Sequence, residues 1–260
     1  MRPVVALASL ALALGAAIGA AGPALAHGDH TGPHRAQSAL AGGSGSALVS
    51  SPNVSHLEAD PGQVGISGCF MRSAPILVTS GADSVRVWDV SDAAHSSVVG
   101  ELANVLFEHE AMNCGERRTS HGIRRFTLIG VDSVQASPGD VQHSNVGGGE
   151  LIVVDVTDPT TPRILSRAPG TTSTHTVACV RATRCTYAYS AGEGNHFSIF
   201  DLRNLRKPRE VDAKPGTPGV QPHWSPTAGH KWNFDAAGIG THTGWKGASM
   251  WRTTRPAHRS

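Results

Sequence analysis

Helix is what this sequence has least of. Beyond the first 26 residues, apolar side chains almost never recur at the spacing of an amphipathic helix, and 30 glycines and 16 prolines punctuate the chain instead. That pattern predicts a turn-rich β protein. Aromatic residues are only 5% of the chain, which argues against an extended sugar-stacking groove. The five tryptophans are Trp88 and a late group, Trp224, Trp232, Trp245 and Trp251, better suited to wedging between sheets. Strong charge is missing too. The formal net charge is +2 and no basic run stands out, so neither nucleic acid nor a membrane surface is implied as a partner. No Gly-x-Ser-x-Gly elbow, phosphate loop or dinucleotide fingerprint occurs, so nucleophilic hydrolysis and nucleotide chemistry have no support. No Cys-x-x-Cys pair occurs either, so neither redox chemistry nor a zinc knuckle is signalled.

What is present begins with an export signal over residues 1–26. Arg2 supplies the positive start, Val4 to Ala21 the apolar run, and Ala24-Leu25-Ala26 the small-x-small cleavage site. Cleavage near Ala26 predicts a secreted chain, and no other apolar stretch is long enough for a membrane anchor. The mature chain would begin at His27, with His30 and His34 close behind. An N-terminal histidine offers its α-amine and ring nitrogen together, and imidazole suits copper, zinc or nickel. Against a rigid site, residues 27–55 are rich in Gly, Ser and Ala and read as a disordered tail. In an exported chain the four cysteines predict disulfides. Of the three possible pairings, Cys179 with Cys185 across the turn VRATR, leaving Cys69 for Cys114, is favoured.

The remainder, residues 56–260, is organised around ELIVVDVTDPTTPRILSR, residues 150–167. The run Leu151 to Val154 suits a buried strand, and Asp158-Pro159 forces a turn before a second strand at Ile164-Leu165. The same unit recurs in SVRVWDVSDAAHSSVVGEL and HFSIFDLRNLRKPREV, with Asp89, Asp155 and Asp201 in register. A weaker copy near the end puts Arg252 where the aspartate should be. Steps of 66, 46 and 51 residues between these positions match the repeat length of propeller blades. The expected fold is therefore all-β, a propeller-like array of about four blades at 56–105, 106–168, 173–212 and 228–260. The fourth blade is clipped, which predicts an incomplete propeller with open sheet edges capable of self-association. The strand VVDVTDP, with its siblings VWDVSD and IFDLRN, resembles the LVIVD repeat of secreted bacterial β-propeller proteins. The blocks EAMNCGERR, GGGELIVVDVTDP, STHTVACV and AGHKWNFDAAG resemble the actinobacterial members, which are longer than this chain. That resemblance implies a propeller fold and a secreted address, and it carries no catalytic residues across.

The candidate site follows from position within the repeat. Glu110, His175 and His230 each stand four residues before positions 114, 179 and 234, at the head of an inner strand. Equivalent blades would ring these side chains around one channel mouth, where they could bind a ligand or a divalent metal ion; His242 is a weaker candidate. The bland alternative is that they hydrogen-bond neighbouring backbone. An aspartate recurring in every good copy points to a structural job, since a catalytic carboxylate is needed once. The leading expectation is a non-catalytic secreted scaffold that binds a protein, glycan or cell-wall partner without a cofactor. The alternatives are a metal-binding protein or metal-dependent enzyme using the channel histidines or His27 and His30, and a truncated, inactive relative.

Overall fold

Among the described residues every regular element but one is a strand. The computed structural model describes residues 53, 57, 65–81, 84–103, 112–131, 149–170, 174–192, 197–211, 229–244 and 247–252. The exception is a 3-10 turn at Ala182–Arg184, and no described helix is long and apolar enough to cross a membrane. The fold is all-β, in four antiparallel sheets of consecutive strands. The first holds β1 (Gly65–Phe70), β2 (Ile76–Gly81), β3 (Ser84–Asp89) and β4 (Ser97–Ala103). The second holds β5 (Met112–Thr119), β6 (Gly122–Val131), β7 (Glu150–Asp155) and β8 (Arg163–Pro169). The third holds β9 (Thr176–Cys179), β10 (Tyr187–Ala191), β11 (Ile199–Asp201) and β12 (Arg209–Glu210), and the fourth β13 (Gly229–Phe234), β14 (Ile239–Gly244) and β15 (Gly247–Arg252).

Strand β7 explains how the sheets stack. All six of its residues are buried, which a strand with one wet face could not tolerate. Side chains alternate across a strand, so Ile152 and Val154 join Val78, Val85 and Val87 of the first sheet in one core. Leu151 and Val153 point the other way, into a second core with Val177, Ala188 and Phe200 of the third sheet. A third core joins Ala178, Ala191 and Phe197 to Trp232 of the fourth sheet. The first strands form a row in the same order, with β1 against β5, β5 against β9 and β9 against β13.

The recurrent aspartates end the third strand of each four-stranded sheet. Asp89 pairs with Ile76, Asp155 with Phe126 and Asp201 with Tyr187, and Arg252 holds the same last position of β15, opposite Ile239. In each acidic copy Oδ1 accepts the N–H two residues on: Ser91 at 2.8 Å, Thr157 at 3.0 Å and Arg203 at 2.9 Å. Three residues later Asp92, Asp158 and Asn204 repeat the device toward Ala94, Thr160 and Arg206. These side chains replace the backbone partners that the chain gives up in turning. The outer strands β4 and β8 each rest on the next sheet's turn. A Cβ at Gly100 of β4 would stand 2.1 Å from the Pro159 carbonyl oxygen, and at the equivalent place in β8 the Ser166 hydroxyl donates to the Leu205 carbonyl at 2.7 Å.

Two disulfides join Cys69 to Cys114, across β1 and β5, and Cys179 to Cys185, across the 3-10 turn. Strand β5 runs on through the charged Glu116-Arg117-Arg118 to Thr119. Its partner β6 begins at Gly122, earlier than the apolar run at Phe126 suggests.

Candidate functional site

The row of first strands carries two clusters of polar side chains. The first lies where β9 meets β13. His175 precedes β9 and is only 2% exposed, while His230 lies on β13. Their ring centroids are 5.2 Å apart, and the Thr176 hydroxyl donates to the His230 carbonyl at 2.5 Å. The segment leading into His175 is held by the Thr174 hydroxyl, 2.6 Å from the Val131 carbonyl oxygen and 3.1 Å from that of Glu150. Glu150, fully buried, meets Arg167 at 3.1 Å. His242 sits on β14, 3% exposed, with its ring 4.7 Å from that of Trp232. Burial pushes its pKa from 6.5 down to about 4, so this imidazole is neutral at pH 7. Gly229 makes room for it, since a Cβ there would fall 2.2 Å from His242 Nε2.

The structure thus brings His175 and His230 together, while Glu110, His27 and His30 lie outside the described residues. Among the described residues no three His, Cys, Asp or Glu side chains gather closely enough to hold a metal ion. The recurrent carboxylates are committed locally. Burial alone would raise the Asp155 pKa, but the bonds from Thr157 and the guanidinium groups of Arg163 and Arg124 outweigh it and hold the carboxyl below its usual value. Asp201 behaves alike, with Arg203 and Arg209 as its cations.

The second cluster lies where β1 meets β5. An open pocket of about 530 Å³ is lined by Phe70, Arg72, Asn113 and Ala182 together with the Cys69–Cys114 disulfide. Phe70 is 66% exposed. The turn carrying Arg72 is pinned by Glu116, whose Oε1 accepts the N–H groups of Arg72 and Ser73 at 2.6 and 2.9 Å. Asn113 Oδ1 accepts the Cys179 N–H at 3.1 Å. Next to Glu116, Arg117 donates to the carbonyls of Arg203, Cys185 and Leu202 at 2.9, 2.8 and 2.6 Å. Reading the sequence by repeat position finds the histidines and misses this second cluster. Its only local signal is the charged GERR following Cys114, where an ending strand would be expected to turn polar anyway. No protein-family model matches the chain, and a search of curated proteins finds no relative.

Proposed function

We propose that this chain is an exported repeat scaffold of the β-propeller type, related to the LVIVD-repeat proteins it resembles. In this reading it binds an extracellular protein, glycan or cell-wall partner and catalyses nothing. The observation that carries the reading is the fate of the repeated carboxylates. Asp89, Asp155 and Asp201 each bond the backbone of their own turn, so the residues that define the repeat serve its folding. Four sheets packed in sequence through their first strands are what a propeller requires. The two disulfides suit an oxidising, extracellular setting, as does the signal-like segment 1–26. The axial row of first strands is where such a scaffold offers its ligand surface.

The test is expression with residues 1–26 in place, followed by binding of the exported protein to immobilised neutral and acidic polysaccharides and to extracellular proteins. Export with saturable binding and a chemically unchanged ligand is the expected result. Retention inside the cell, or conversion of a bound ligand to product, would overturn the reading.

A further inference from the structure

The pocket between β1 and β5 says more about its ligand than the scaffold reading does. Three features bear on the ligand's chemistry. The first is cationic charge without a competing acid. Arg72 is exposed on the pocket wall, and exposed Arg181 and Arg184 stand one residue before and two after the lining residue Ala182. The 3-10 turn carrying Ala182 lies against β5 and is tied there by the Cys185 N–H, which donates to the Glu116 carbonyl at 3.1 Å. Glu116 itself is buried and already accepts two N–H groups. An anion entering the pocket therefore meets the Arg72 guanidinium, with the neighbouring Glu116 carboxylate already engaged by backbone N–H groups.

The second feature is Phe70. Its ring is exposed, whereas Trp88, Phe126, Phe197, Phe200 and Trp232 are buried and Tyr187, Tyr189 and Phe234 are half-buried. A single exposed ring beside polar groups suits the apolar face of one sugar ring, and it is too small for a long stacking groove. The third feature is rigidity. The disulfide locks β1 to β5, Glu116 fixes the turn of Arg72, and Asn113 is oriented by the Cys179 N–H through its oxygen, which leaves its amide nitrogen as the donor. Groups held before the ligand arrives lose less entropy on binding.

We propose that this pocket binds an acidic saccharide of one to a few rings, a hexuronate unit in particular. Its carboxylate meets Arg72, its ring lies on Phe70 and a hydroxyl accepts from Asn113. The inference rests on the scaffold reading and narrows it to one ligand class. A peptide is less favoured because the pocket offers one aromatic ring and no row of apolar side chains to take alternate residues.

The test is calorimetric titration of the exported protein with a tetramer of galacturonic acid, a neutral tetrasaccharide and a short glutamate peptide. The uronate is expected to bind saturably, and to weaken several-fold between about 50 and 500 mM salt, while the neutral sugar and the peptide do not bind. Phe70→Ala and Arg72→Gln should each weaken binding about tenfold with no change in the thermal melt, because both side chains are exposed. Equal binding of the neutral sugar, peptide binding as tight as the uronate, unaltered affinity in both variants, or no uronate binding would each overturn the proposal. A different ligand found in the wider panel and indifferent to both variants would refute this site and leave the scaffold standing. Cleavage of the uronate would keep the site and refute the scaffold.

Discussion

The junction between the second and third sheets holds the larger apolar core, the junction between the third and fourth the smaller, and the two are tied by opposite means. At the former, Arg117 reaches across from β5 and ties down three carbonyl groups, Asn113 takes the Cys179 N–H, and Phe126, Leu128 and Phe200 fill the space between. A guanidinium keeps its charge across the physiological range, so this clamp is indifferent to pH. At the latter, no described cation crosses to a carbonyl. Trp232 packs edge-on to Tyr189 and Phe197 and donates to the Ser190 carbonyl at 3.0 Å, and His175, His230 and His242 take the polar places. Of these, His242 titrates with a pKa that burial lowers to about 4. One repeat architecture has been joined once by a permanent charge and once by an indole packed among imidazoles, of which His242 is neutral at pH 7, and the two junctions should fail under different conditions.

The most direct way to break the comparison is to remove the clamp. Arg117→Ala should cost about 3 kcal/mol in urea unfolding, because it strands three carbonyls that accept from a charged donor. Arg117→Lys should recover little, since one ammonium cannot replace the planar fork. Next in size is pH. His242 has a folded pKa depressed to about 4 against an unfolded 6.5, so the unfolded chain takes up a proton before the folded one does. Stability is therefore undiminished above pH 6.5 and falls as pH drops through the window from 6.5 to 4, by about 2–3 kcal/mol. His242→Gln should flatten that slope in a melt series, whereas Arg117→Ala should keep it. The lowered carboxyls of Asp155 and Asp201 act in a separate window. Their contribution is complete above the ordinary value of 3.8 and is lost only as pH falls through their still lower folded values.

Smaller effects sharpen the contrast. Gly229→Ala should cost about 2 kcal/mol by driving a methyl against the His242 ring, and His242→Ala in the same chain should relieve most of it. Gly100→Ala meets the Pro159 backbone instead, so no side-chain truncation should rescue it. Asp155→Ala should cost about 1–2 kcal/mol and Asp155→Asn less, because an amide oxygen can still accept the Thr157 N–H. Asp89→Ala should cost less than Asp155→Ala, since Asp89 is only half-buried where Asp155 is buried.

The all-β class and the central strands were legible because their signals are local. Four adjacent β-branched or leucine residues before Asp155, then Asp158-Pro159, specify a buried strand and a turn within ten positions. The turn role of Asp155 and its equivalents was legible for the same reason, since the N–H each one accepts belongs to the residue two places on. The proximity of His175 to His230 could be read from equal repeat position. Glu116 and Arg117 could not. Their partners lie 43 to 86 residues away, on backbone atoms that carry no residue signature, so their charge suggested solvent where the structure puts a junction. Phe70 was illegible for a related reason: it holds an apolar place in a strand, and only the packing of β5 and the 3-10 turn leaves it uncovered.

The measurement that tests this account most directly is hydrogen exchange resolved by peptide at pH 7 and pH 5, corrected for intrinsic rates. The account predicts that amides of β9, β10, β13 and β14 lose protection at pH 5 while those of β5, β6 and β7 keep theirs. Equal loss in all four sheets, or earlier loss around Arg117, would contradict it.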